Sequence, residues 1–180
     1  MHIERKIITV FGEKVNAKIQ IFEEKDRNIM RNMWNAWITL KNLLQTYEGR
    51  SPNLPEVLSE GAWCLYSGSV RLIEPTSADT YNLQKQEAEQ IKASSVEEDL
   101  TSFGPNSRWD RLYFLDFSRL DGSFDAYEIP TELVYSQVLN KKNNKTFRDQ
   151  QLQGRRPRLS LKKLIKEFGI KALDKNIKVF

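Results

Sequence analysis

The sequence predicts a single α/β domain. Three observations carry this. Strand-like alternation opens the chain and returns between residues 70 and 129. Apolar stripes of helical period lie between and after these stretches. No internal repeat or linker-like segment interrupts the 180 residues, which suffice for one real core.

Residues 3–22 alternate through Ile7, Thr9 and Phe11, then Val15, Ala17, Ile19 and Ile21, with Gly12-Glu13 between them. This is the pattern of a hairpin. Asp26 is placed to cap a helix running to about Glu48. In that helix Met30, Met33, Trp34, Trp37, Ile38, Leu40, Leu44 and Tyr47 recur at helical spacing, as a core face or a dimer face. Gly49-Arg50-Ser51-Pro52-Asn53 ends it. Pro55 opens a second helix to about Leu65, broken by Gly68, with Glu56 and Glu60 four apart on one face.

Val70 to Ile73 reads as a short strand, and Glu74-Pro75-Thr76-Ser77 leads on to Asp79. From Asp79 to Lys92 the chain reads as an acid at a strand start, a polar turn, and a second strand from Ala88 to about Ser94. Residues 97–110 read as a loop with a turn of helix. The apolar run Leu112 to Phe117 is a central strand, Asp121-Gly122 a hairpin turn, and Phe124 to Ile129 the returning strand. Pro130 stops it. Thr131 is placed to cap a helix with Leu133, Val134 and Val138 inward. Thr146 caps a short helix closed by Gly154, and Ser160 caps Leu161 to Phe168, closed by Gly169.

Composition narrows the chemistry. Cys64 is the one cysteine and His2 the one histidine, so an internal disulfide and a Cys/His metal cluster are excluded. A serine or cysteine triad would need His2 at a fraying terminus. Any metal is therefore expected to be oxygen-bound magnesium, manganese or calcium. Apolar runs are short, and the first residues lack the features of a signal peptide, so neither a membrane span nor export is expected. Residues 141–180 hold thirteen Lys/Arg against three Asp/Glu, whereas residues 1–140 hold fifteen against twenty-one. A basic segment on an acidic body suggests a polyanionic partner, or a solvated basic tail.

Side chains alternate along a strand, so Gln90 and Lys92 share a face, and antiparallel pairing brings Asp79 beside them. An acid, a second oxygen ligand and a lysine can hold a divalent ion and a water next to a phosphate. The same residue types also fit a solvated hairpin. Glu60 joins them as a candidate because its helix precedes the sheet, and its carboxylate would restore the charge that Gln90 lacks. Glu87 and Glu89 are weaker alternatives, since the pleat points Glu89 away from Gln90. Thr101 to Ser107, with Ser102, Asn106 and the Gly104-Pro105 bend, suits close approach to a backbone or base edge, or is a plain connection. Arg148, Gln150, Gln151, Arg155, Arg156 and Arg158 carry the chemistry of nucleic-acid reading, arginine for guanine and phosphate, glutamine for adenine. Lys162, Lys163 and Lys166 read as phosphate contacts or a solvated face.

Several of these blocks resemble a known family. They are Leu54 to Ala62, Gln90-Ile91-Lys92-Ala93-Ser94, Asp99-Leu100-Thr101-Ser102-Phe103-Gly104-Pro105, Trp109-Asp110 with Leu112 to Phe117, and Thr146 to Gln151 with Gly154-Arg155-Arg156-Pro157-Arg158. Together they are similar to the small type II restriction endonucleases of the Bsp-six-I type, in the PD-(D/E)XK nuclease superfamily. The resemblance spans most of residues 54–160; the first 50 residues share only a strand-then-helix pattern.

The resemblance implies a restriction-endonuclease-like α/β fold, a mixed central sheet flanked by helices. It implies one domain over residues 1–180, with 141–180 as the DNA-reading segment. It implies Mg2+-dependent cleavage of double-stranded DNA at a short palindrome, GC-N-GC, leaving 5′-phosphate ends, with Mn2+ able to substitute. It further implies a homodimer, a cognate DNA methyltransferase as genetic partner, and the cytoplasm of a prokaryote. Asp79 matches the family acid and Lys92 the family lysine, while Gln90 stands where the superfamily usually has Asp or Glu. The implied metal ligands are Asp79, the Ile91 backbone carbonyl and, in compensation for Gln90, Glu60. Competing readings are a non-catalytic DNA-binding protein, a repair or structure-selective nuclease of the same superfamily, and an RNA-binding module.

Overall fold

The computed structural model describes residues 1–74 and 77–180. Pro75 and Thr76, in the expected connection to Asp79, lie outside the described residues.

Strands β1 (His2–Val10) and β2 (Glu13–Ile21) form the opening hairpin. Its turn is Phe11-Gly12, one residue earlier than the sequence predicts, because both central residues take positive φ, 53° and 86°. Helix α1 spans Arg27–Thr46. Asp26 does not cap it; its carboxylate turns back to the Glu23 backbone N–H and the N-terminal ammonium. Met30, Trp34 and Trp37 are buried in the core, whereas Leu40 and Tyr47 of the same stripe are exposed. Helix α2 (Glu56–Ser67) ends on Gly68 at φ 75°, whose N–H bonds the Cys64 carbonyl.

Six strands follow: β3 (Val70–Leu72), β4 (Thr80–Asn82), β5 (Glu87–Ser94), β6 (Thr101–Ser102), β7 (Arg111–Asp116) and β8 (Ser123–Ile129). Helix α3 (Thr131–Tyr135) is shorter than expected, and Val138 is exposed on strand β9 (Val138–Asn140) rather than turned inward. Thr131 does not cap α3; its hydroxyl accepts from the Trp109 indole at 3.0 Å. Strand β10 (Lys145–Thr146) pairs with β9, and helix α4 (Phe147–Leu152) follows under a reciprocal Thr146–Asp149 cap. Strand β11 (Arg158–Leu159) pairs with β6, inside what the sequence reads as a loop. Helix α5 (Leu161–Phe168) precedes β12 (Asp174–Lys178), which the sequence reading misses.

The main sheet runs β1-β2-β3-β4-β5-β7-β8-β12. Only the β5–β7 pair is parallel, so the sheet is mixed. Strand β7 is buried on both faces, as its unbroken apolar run requires. Tyr113 and Leu115 meet α1 and α2 through Trp34, Trp63 and Phe117. Leu112 and Phe114 meet Phe103, Phe147, Leu161 and Leu164 on the other side. Helices thus flank the sheet on both faces, and β5 lies between the two layers with its C-terminal end open.

Helices α1 and α2 touch through Gly61. A Cβ there would lie 2.6 Å from the Met30 methyl and 2.9 Å from the Phe22 ring. Gly61→Ala is expected to lower stability by about 1–3 kcal/mol through overpacking, despite the better helix propensity of alanine. Urea unfolding checks this; an unchanged or raised midpoint would mean that the helices part without cost.

Candidate active site

Local rules build the β4–β5 hairpin. Asn82 Oδ1 accepts from the backbone N–H of Gln84 and Lys85, and Gln86 takes φ 56°, so the chain reverses within the polar turn. Thr80 pairs with Glu89, Tyr81 with Ala88 and Asn82 with Glu87. Asp110 holds the start of β5, its carboxylate accepting from the Ala88 N–H at 2.8 Å and its N–H donating to the Ala88 carbonyl.

Strand β4 begins at Thr80, opposite Glu89, so β5 runs on past it with a free edge. Asp79 fills that gap. Its N–H donates to the Glu89 carbonyl at 3.0 Å, and its Oδ2 accepts from the Ile91 N–H at 2.9 Å. The Gln90 side-chain amide donates to the same oxygen. Lys92 Nζ stands 4.0 Å from it, and the same ammonium lies over the Phe103 ring, 5.4 Å from its centroid. Because a strand residue's N–H and C=O leave on the same edge, the Ile91 carbonyl also faces the side where Asp79 sits. Asp79, Gln90 and Lys92 therefore converge at one point, and Asp79 and Lys92 keep partial solvent access.

Glu60 lies close by but is otherwise engaged. It is buried on α2 and ion-paired with Arg71, which also bonds Glu56 at 3.2 Å and Gln20. Arg71 alternates with Val70 and Leu72 and so faces α2; that alternation is the sequence signal for this pair. Burial, and then the nearby Asp79 carboxylate, push the Glu60 carboxyl up to about 7 against the pull of Arg71. Asp79 is also raised, by burial first, against Lys92 and the Ile91 N–H. Burial raises both acids, with the Asp79 carboxylate adding to the rise at Glu60 and Glu56 to that at Asp79, which marks a place short of positive charge.

Glu89 points to the opposite face of the strand. It is 1% exposed and accepts from the Trp63 indole at 2.9 Å and the Thr80 hydroxyl at 2.7 Å. It fixes the hairpin against α2 and stays out of the site. Among the described residues no group of three or more His, Cys, Asp or Glu side chains is arranged to hold a metal. The oxygen donors gathered at the site are the Asp79 carboxylate, the Gln90 amide and the Ile91 carbonyl, while the Glu60 carboxylate is held by Arg71.

Lys92 opens into a cleft of about 380 Å3 between residues 51–54 and 93–102. Its far wall continues through Ser102, which pairs with Arg158 across β6 and β11. Arg155, Arg156 and Arg158 are exposed, and no side-chain hydrogen bond or ion pair engages them among the described residues. Asn106 is exposed and Gln150 half-buried. Gln151 is buried, its amide donating to the Gly104 and Ser107 carbonyls. Arg148 lies over the Tyr135 ring and donates to Gln151 Oε1. Lys163 is exposed, whereas Lys162 pairs with Asp116 at 2.9 Å. Asp99, unmarked in the sequence, binds Ser160 and the Leu161 and Lys162 N–H groups, tying α5 to the cleft wall.

A large mixed sheet flanked by helices, with an acid and a lysine at an open strand end, is consistent with a restriction-endonuclease-like fold. The family model described as Bsp6I restriction endonuclease matches residues 22–167. The type II restriction enzyme Bsp6I of Bacillus sp. (strain RFL6) is 36% identical over 134 residues, covering 73% of this chain and 75% of that enzyme. No solved structure matches the chain. The chain belongs to the Bsp6I restriction endonuclease family, whose work is site-specific DNA cleavage.

The raised Glu60 carboxyl sets a pH dependence. Between its ordinary value of 4.5 and about 7 the folded chain holds a proton that the unfolded chain has lost, so stability falls as pH rises through that window. Asp79 and Glu89, also raised, contribute in the same sense. In EDTA, Glu60→Gln is expected to make the fall distinctly shallower in urea midpoints measured from pH 4.5 to 8. An identical slope would assign the effect to the other acids.

Proposed function

We propose that the chain is a type II restriction endonuclease of the PD-(D/E)XK superfamily that cuts double-stranded DNA at a short palindrome, GC-N-GC by resemblance. The observation that carries this reading is Asp79, held by the Ile91 N–H at 2.9 Å with Lys92 Nζ at 4.0 Å, beside a cleft whose rim leads to unpaired arginines. Family membership supports the class of reaction.

The donor set suits Mg2+, with Mn2+ able to substitute. All candidate ligands are oxygen atoms, and Mg2+ needs only one or two carboxylates because water and substrate phosphates complete its shell. Asp79 and the Ile91 carbonyl would hold it, with Glu60 joining if it releases Arg71. When bound, the ion would supply Lewis acidity toward the scissile phosphate and a more acidic water.

The chain's own residues do the rest. The Ile91 N–H fixes which Asp79 oxygen turns outward. Lys92, raised on Phe103, is placed to orient the attacking water and to offset the charge that grows on phosphorus. Gln90 adds an amide without adding charge. In-line attack by water leaves a 5′-phosphate and a 3′-hydroxyl with no covalent intermediate. Ser102 in the cleft wall, Arg158 paired with it, and Asn106, Arg155 and Arg156 are the proposed DNA contacts, together with Gln150, Lys162 and Lys163. Gln151 and Arg148 act by holding the Gly104–Ser107 bend. Residues 1–180 serve as one nuclease domain with 141–180 as its reading segment. A palindrome calls for a two-fold homodimer, each copy cutting one strand. A cognate DNA methyltransferase would protect the host DNA in the cytoplasm of a prokaryote. Among the described residues no helix is long and apolar enough to cross a membrane.

Asp79→Ala and Lys92→Ala are each expected to lower the rate of plasmid cleavage by at least about 100-fold. Duplex affinity in EDTA should stay within a few-fold of the parent chain. Cleavage at the parent rate by either variant would remove the site assignment.

A further inference from the structure

Lys41 is the one Lys or Arg that is buried among the described residues, at 4% exposure on the core face of α1. Other shielded basic side chains have acids: Arg71 has Glu56 and Glu60, Lys162 has Asp116, and Lys92 has Asp79. Lys41 has none within ion-pair distance among the described residues. Its Nζ donates to the Ser51 hydroxyl at 3.4 Å. A cation taken out of water without a counter-charge is costly, and among the described residues no carboxylate offsets that cost at Lys41.

Ser51 lines the cleft that Lys92 opens into. An ammonium can only donate, so Ser51 Oγ accepts from Lys41 and its own proton is free to be donated to another acceptor. Ser95 and Ser102 line the same cleft, and their hydroxyls make no side-chain hydrogen bond among the described residues. Asp99, the one acid in the lining, is occupied by the N-terminus of α5 and by Thr101. The cleft thus offers hydroxyl donors, the half-buried Lys92 ammonium and, behind Ser51, the buried Lys41.

We propose that this cleft seats a phosphate of the DNA backbone next to the scissile one, with Ser51 donating to it and Lys41 acting through Ser51 as a positioning residue. The proposal rests on the reading of the chain as a DNA endonuclease. An ammonium behind a hydroxyl polarises that hydroxyl, and at 4% exposure the Lys41 charge is less screened than a surface one.

The test is fluorescence anisotropy with a 20-base-pair DNA duplex in EDTA, across a salt series, alongside urea unfolding. Lys41→Met keeps the volume and removes the charge. It is expected to unfold at an equal or higher urea concentration, to bind duplex several-fold more weakly, and to show a salt slope reduced by about one. Ser51→Ala, a mild surface change, is expected to weaken binding without altering stability, and it serves should the Met variant fail to fold. Unchanged affinity and salt slope in the folded variants would overturn the proposal. If the parent chain bound no duplex, the endonuclease reading itself would fall, a result distinct from a variant-specific null effect.

Discussion

The Ile91 N–H donating to Asp79 Oδ2 is the interaction on which the rest depends. It exists because β4 starts at Thr80, opposite Glu89, two residues short of the position that would face Ile91 in that register. An open strand edge carries donors and acceptors that need partners. Asp79 supplies one with its side chain, and the carboxylate is thereby pinned beside Gln90 and Lys92. The surroundings then guard that geometry: Glu89 locks the hairpin against Trp63, Asp110 locks the start of β5, and Phe103 props Lys92. The fold thus places an acid and a base together and keeps their approach open.

The two faces of the sheet divide the remaining work. Toward α1 and α2, tryptophan and phenylalanine build the larger core. On the other side a second core carries the Gly104–Ser107 bend, α4 and α5. Here many polar side chains serve the frame. Gln151 stitches α4 to the bend, and Asp99 stitches α5 to the cleft wall, so the basic segment cannot drift from the site. Within the basic segment 141–180, Arg155, Arg156 and Arg158 are exposed and have no acidic partner among the described residues.

Much of this was legible in the sequence. Alternation marked the strands, Thr146 and Ser160 marked the caps of α4 and α5, and the pleat with antiparallel pairing placed Asp79 beside Gln90 and Lys92. What was not legible depended on tertiary partners. Strand β12 carries one apolar residue, Ile177, and pairs through an irregular register that no periodicity displays. The β6–β11 pairing joins residues more than fifty apart. Asp26 and Thr131 are good cap residues, but a terminal ammonium and the Trp109 indole claim them first. Glu60 read as a candidate ligand beside Asp79 and is buried on Arg71, a pairing that only the approach of α2 to β3 creates.

The central claim is that the open end of β5 is a divalent-metal nuclease site with a defined target. Digestion of one plasmid with the parent chain, with Mg2+ and with EDTA, followed by sequencing of the ends, tests it most directly. Discrete fragments with 5′-phosphate ends at a single short palindrome, present with Mg2+ and absent in EDTA, are the predicted result. Fragments that persist in EDTA, or random ends without a common sequence, would contradict it.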